Sequence, residues 1–188
     1  MFGFTSKKAV WAQGTRVYLR RPERSDSKAW VALRASSSQF LQPREPRWDS
    51  DHLSRAWYLR YLHRIQHTMR SEQSLNMLIF LHDSDVLVGA INAANVRYGP
   101  FCCADIGYWV GVNYARRGLM SEGLELFIPQ CFETLRLKRI QALCMDDNIA
   151  SQKLLRKNRF QHEGDIRRAM CIDGQWVDHQ LYGRINTD

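Results

Sequence analysis

The chain has 188 residues, 45% of them hydrophobic and 24% charged, with a formal net charge of +8. That length and balance suit one domain over residues 1–188 with its own core, and exclude a fibrous repeat or wholesale disorder. The positive excess favours an acidic partner such as RNA, a ribosome or a polyanionic cofactor; it describes a solvated basic surface equally well.

Met1 to Gly14 contains no apolar segment followed by a small-residue cleavage site. No run of about eighteen apolar residues occurs anywhere, so a soluble, cytoplasmic protein without membrane contact is expected. The five cysteines, Cys102, Cys103, Cys131, Cys144 and Cys171, are odd in number and show no C-x-x-C pairing. Neither a disulfide framework nor a zinc site is expected from them. His162 and His179 lack acidic or cysteine partners at ligand spacing, so no metal is assigned.

In chain order, Arg16 to Pro22 alternates and is rich in β-formers, which predicts a first strand ending at the proline. Ser25 or Asp26 caps a short helix, and Gln42 to Trp48 is a proline-broken loop. From Ser50 to Ser71 the apolar positions Leu53, Trp57, Tyr61, Ile65 and Met69 recur every four residues and predict an amphipathic helix. Its other face carries Arg60, His63, Arg64, His67 and Arg70, a grip for RNA or simply a solvated surface. "SLNMLIFLHD" and "DVLVGAINAANVRY" read as antiparallel strands joined at Asp83 to Asp85, and "CADIGYWVGV" as a third. A helix to about Leu137, a strand "RIQALCMD" and a helix from Asn148 to Asn158 come next. Two closing strands meet at Asp173-Gly174, a strong hairpin signal. The order β α α β β β α β α β β describes an α+β protein with a mixed, mostly antiparallel sheet flanked by helices. The strand–loop–helix–strand unit around Gly118 is a crossover, so its two strands are parallel neighbours.

That unit contains "NYARRGLMSEGLE", Asn113 to Glu125, where a basic turn leads from strand to helix. Such a turn offers free N–H groups and the positive end of a helix dipole to an anion. Neither G-x-x-x-x-G-K-[ST] nor G-x-G-x-x-G with its acidic follower is present, which excludes a P-loop and a dinucleotide fingerprint. Glu122, just inside the helix, reads as support for its N-terminus. Further on, "DNIASQKLLRKNRFQHEG" sets Asn148 at a helix start with Ser151 one turn along.

The two motifs together resemble the GNAT acetyltransferases, whose splayed mixed sheet binds acetyl-coenzyme A. "MFGF", "FLQPREP", "VGAINAANV", "IGYWVGVNYARRGLMSEGL" and "IDGQWVDHQLYGRI" extend the similarity nearly end to end, toward the RimJ and RimL type of ribosomal-protein alanine N-acetyltransferase and more to RimJ. The family's [QR]-x-x-G-x-[GA] loop falls on Ala115 to Met120, where only Gly118 matches strictly. The resemblance implies that N–H groups around Gly118, Leu119, Met120 and Ser121 hold the coenzyme's diphosphate, that Arg116 and Arg117 add charge-assisted contacts, and that Tyr108 and Val110 pair their main chain with the pantetheine arm. Asn148 and Ser151 complete the implied coenzyme site.

Many members carry an acidic tyrosine four residues after the serine position; Leu155 stands there, so Ser151 becomes the candidate donor to the departing sulfur. Met170 replaces the carboxylate that RimL-like relatives use as base; Asp105 occupies a position that is often glutamate in the wider family, and the resemblance implies it as base, acting through water. Cys102 and Cys103 suggest a covalent acyl-enzyme, but nothing beside them in sequence activates a thiolate. The implied activity is direct acetyl transfer to the α-amine of a protein N-terminus, an alanine of a ribosomal protein. Two other readings remain open: an acetyltransferase for an aminoglycoside or polyamine, and a ribosome- or RNA-binding module that keeps acetyl-CoA structurally.

Overall fold

The computed structural model describes residues 9–187; the opening "MFGF" lies outside them. Among the described residues the chain forms one sheet in the order β1-β2-β3-β4-β5-β6-β8-β7, built from Ala12–Gln13, Val17–Arg20, Leu75–Leu81, Leu87–Arg97, Cys103–Val110, Arg139–Met145, Gln161–Ile172 and Gln175–Ile185 as β1 to β8. Five helices accompany it: α1 Ser27–Ser36, α2 Ser38–Leu41, α3 Arg55–Arg70, α4 Leu119–Glu133 and α5 Ile149–Lys157. The short β1 was not anticipated, and the first helix is broken in two at Ser37. Helix α3 begins at Arg55 because the Ser54 side chain accepts the Trp57 N–H. Its deepest residues are Tyr58, Leu62 and Ile65: Ile65 belongs to the expected stripe, and Tyr58 and Leu62 lie one position on from Trp57 and Tyr61.

Alternation in β5 divides the molecule. Ala104, Ile106, Tyr108 and Val110 join the larger core beneath α4, with Leu124, Phe127, Ile128 and Leu155. Trp109 turns to the opposite face, where Trp30, Tyr58, Leu62 and Ile65 pack from α1 and α3. The closing hairpin turns at Asp173 and Gly174 with φ of 44° and 85°, as an Asp-Gly pair allows. Arg47 donates to the Asp173 carboxylate, so the hairpin tip rests on the loop before α3.

The pairing of β5 with β6 is the one parallel contact among the described strands. It holds for three residue pairs, Cys103, Ala104 and Asp105 against Arg139, Ile140 and Gln141. Beyond them β5 runs on to Val110 and β6 to Met145 without touching. The sheet is split there into a wedge, and helices α4 and α5 start beside its open end.

Candidate active site

Helix α4 starts at an unusual cap. Gly118 sits in the left-handed region with φ 76°, Arg116 does so with φ 60°, and no side chain caps the helix. The first intrahelical bond joins Glu122 N–H to the Gly118 carbonyl. The N–H groups of Leu119, Met120 and Ser121 therefore have no partner within the helix. Three free donors, the helix dipole and the exposed side chains of Arg116 and Arg117 together suit a diphosphate.

The turn is held from below by Arg16, a residue the sequence did not single out. Its guanidinium donates to the carbonyls of Arg117 at 2.9 Å and Gly118 at 3.3 Å, and to Glu122 at 2.8 Å. Glu122 also accepts the Arg16 and Val17 N–H groups. Its carboxylate occupies the space left by Gly14, where a Cβ would come within 2.5 Å of Oε1. Burial alone would raise the Glu122 pKa, but these hydrogen bonds outweigh it and hold the group below the usual value. Glu122 thus ties α4 to β2, a different task from supporting its own helix terminus.

On the same face, Asn148 caps α5 by accepting the Ser151 N–H at 3.2 Å. Ser151 Oγ lies 2.6 Å from the Tyr108 hydroxyl. Tyr108 was expected to act through its main chain; the structure adds its side chain to the site. Leu155, the position of the missing tyrosine, is fully buried in the core. Burial pushes the Tyr108 phenol well above its ordinary value, and the Ser151 hydrogen bond offsets only part of this. The phenol is protonated at neutral pH, so the pair can donate a proton but not take one. Val110 ends β5 against the core.

Asp105 stands at the vertex of the wedge, on the α1/α3 face. Its carboxylate accepts from Gln141 at 2.8 Å, Asn95 at 2.8 Å and Arg97 at 3.2 Å, so it pins β5 to β6. Met170 pairs with Val177 in the closing hairpin. Cys103 is buried at the start of β5 and Cys102 donates to the Arg136 carbonyl. His63 and His67 are exposed on α3. His162 contacts Asp165, and His179 Nδ1 donates to the Val177 carbonyl. Among the described residues no three His, Cys, Asp or Glu side chains gather as a metal would require, and no helix is long and apolar enough to cross a membrane.

Opposite Tyr108, through the sheet, lies a cavity of about 190 Å³ walled by Trp30, Trp57, Tyr61 and Trp109 and floored by Asn76 and Asn92. Arg34 forms part of its rim, donating to Glu45 at 2.8 and 2.5 Å and to His52 Nε2 at 3.0 Å. Burial, then the Arg34 charge, lowers the His52 pKa to about 4, so the ring is neutral at pH 7. The cavity draws on α1, α3, β3, β4, β5 and the loop between α2 and α3, a combination that no local pattern signals.

The arrangement, a splayed sheet with an uncapped basic helix start and a Tyr108–Ser151 hydroxyl pair beside the split, has known counterparts. The model of the acetyltransferase (GNAT) domain matches residues 16–161. The ribosomal protein uS5-alanine N-acetyltransferase of Escherichia coli K12 is 30% identical over 189 residues, covering 100% of this chain and 97% of its own length. The probable N-acetyltransferase YjcK of Bacillus subtilis is 26% identical over 176 residues, covering 94% of this chain and 97% of its own. RimJ of Mycobacterium smegmatis, solved in complex with CoA-disulfide, superposes with a TM-score of 0.86 at 27% identity, covering 93% of this chain and 88% of that one. The chain belongs to the GNAT acetyltransferase family and, within it, to the RimJ and RimL type.

Proposed function

We propose that the protein transfers an acetyl group from acetyl-CoA directly to the α-amine of a protein N-terminus, with alanine at the first position of a ribosomal protein as the acceptor. The observation that carries the reading is the 2.6 Å contact between Tyr108 and Ser151 beside the split between β5 and β6. It supplies the acid that Leu155 denies to α5, and so weighs against a module that keeps the coenzyme only structurally. The N–H groups of Leu119, Met120 and Ser121, with Arg116 and Arg117, hold the diphosphate; the free edges of β5 at Tyr108 and Val110 receive the amide-bearing arm. The relatives named for alanine acetylation, and the CoA-bound neighbour, support the substrate and co-substrate.

Acetyl-CoA supplies the activated acyl group. The acceptor nitrogen forms the new C–N bond as the C–S bond breaks. The amine's proton leaves through water to Asp105, which keeps one of about four lone-pair sites open after its three hydrogen bonds. The sulfur takes a proton from the Tyr108–Ser151 pair, which is refilled from solvent. An α-amine has a pKa of about 7.7 to 8.0, so a modest base suffices. The exposed basic residues Arg64 and Arg70 on α3 support a contact with the ribosome through RNA, which would weaken steeply with salt.

The test is acetyl-CoA turnover against peptides beginning with alanine or serine, aminoglycosides and polyamines, with the product located by mass spectrometry. The acetyl group is expected on the α-nitrogen of the peptides, with kcat/KM rising from about pH 6 to about pH 8. Acetylation of the small amines with untouched peptides would refute the reading.

A further inference from the structure

The cavity on the α1/α3 face contains two carboxamides that the transfer chemistry above leaves unused. Asn76 and Asn92 are direct partners across the β3–β4 ladder, so their side chains leave the sheet side by side. Asn76 is buried, and its Nδ2 donates to Ser74 Oγ at 2.9 Å; Ser74 Oγ shares a hydrogen bond with Thr68 Oγ1 at 2.7 Å. That chain orients the amide and leaves its carbonyl oxygen for the cavity. Asn92 makes no side-chain hydrogen bond among the described residues, although it is half-buried and lines the same space. A half-buried amide without a protein partner is satisfied by water or by a ligand, and it is available to a ligand's donors and acceptors.

Gly107 lies between this space and the wedge along β5. It faces Asn92 across β4 and β5, and a Cβ on it would come within 2.8 Å of Asn92 Oδ1. Its neighbour Tyr108 reaches Ser151 on the other side of the sheet. The missing side chain leaves room for the Asn92 carboxamide to lie against β5 at that point.

We propose that Asn92, seconded by Asn76, binds the acceptor's amino group, with the acceptor's first residue seated among Trp30, Trp57 and Trp109; this rests on the N-terminal acetylation reading. Oδ1 of Asn92 accepts from the nitrogen, and its Nδ2 donates to the carbonyl of the first residue, a group that stands beside an α-amine but far from a lysine ε-amine. The aromatic faces attract the amine while it is still charged. Neutral carbonyl acceptors suit the chemistry better than a carboxylate, which would stabilise the ammonium and retain its proton. The one carboxylate on the rim, Glu45, is already matched by Arg34.

The experiment is steady-state kinetics of Asn92→Ala and Asn76→Ala on an alanine-first peptide, with acetyl-CoA affinity and peptide affinity measured by calorimetry. The loss of one hydrogen bond to a charged or nascent amine raises the peptide KM about tenfold or more in Asn92→Ala. Acetyl-CoA affinity, set on the opposite face, stays at the wild-type value and certifies the fold. The wild type is expected to bind the free peptide over its N-acetylated form, and Asn92→Ala to lose that preference. A wild-type peptide KM and preference in both folded variants would overturn the assignment while leaving N-terminal acetylation standing. A wild type that turns over no N-terminal peptide overturns both.

Discussion

Replacing Tyr108 by phenylalanine removes one oxygen atom from the centre of the site and little else. The ring keeps its place against the core beneath α4, so folding loses a single hydrogen bond to Ser151. That costs about 0.5–1.5 kcal/mol, or roughly 1–6 °C in Tm for a chain of this size. Catalysis loses more. A positioned proton donor contributes roughly 10²–10⁴-fold, and because Ser151 survives in the variant, a fall in kcat of about tenfold to a thousandfold is expected with the KM for acetyl-CoA nearly unchanged. The assay is release of free coenzyme thiol with a chromogenic reagent, run beside Ser151→Ala and the double variant. Two members of one donor relay do not add: the double variant should be no slower than the slower single. A kcat for Tyr108→Phe within about twofold of wild type, in a folded protein, would refute the assignment of the pair.

Gly118→Val combines a left-handed φ of 76° with a Cβ that meets Arg16 Nη2 at 3.3 Å, and should weaken acetyl-CoA binding by more than about tenfold; calorimetry with unchanged affinity would remove the turn from the site. Glu122 has a lowered pKa in the folded state, so its stabilising contribution is full above the ordinary carboxylate range and is lost as pH falls through the lowered folded value. Glu122→Gln should therefore lower the urea midpoint at pH 7 and converge on wild type in acid; a constant difference at all pH values would contradict this. His52, held to about 4 against an ordinary value of 6.5, stays neutral when folded and takes up a proton when unfolded. Stability should fall as pH drops from about 6.5 toward 4, and His52→Gln should flatten that slope; parallel curves would exclude His52 as its source.

Local chemistry made several elements legible before any coordinates. Asp173-Gly174 announced a turn that needs two left-handed residues, and Asn148 announced the cap of α5; both follow from side chains acting on their own backbone. The strands β3 to β5 were equally plain as β-forming apolar runs between turn residues. What escaped was contact at a distance. Arg16 and Glu122 meet across more than a hundred positions, and neither has a neighbour in sequence that betrays the other. Leu155 offers no phenol, and only the crossing of strand and helix shows that the Tyr108 hydroxyl ends beside Ser151. On α3, Ile65 is buried as expected, but Trp57 and Tyr61 are amphipathic and mark the rim of the buried face, with Tyr58 and Leu62 at its centre.

The brief seam between β5 and β6 has a thermodynamic side. With three residue pairs joining the two arms of the sheet, the facing edges beyond Asp105 and Gln141 carry main-chain groups that pair with neither each other nor a third strand. Those amides belong to the least protected class in hydrogen exchange, since little must open for solvent to reach them. On the proposed placement, a coenzyme arm laid along them would act as a removable strand that binds only the native chain. By mass action each tenfold rise in its concentration above Kd adds about 1.4 kcal/mol to folding. On that placement, resistance to unfolding and proteolysis should rise with acetyl-CoA concentration.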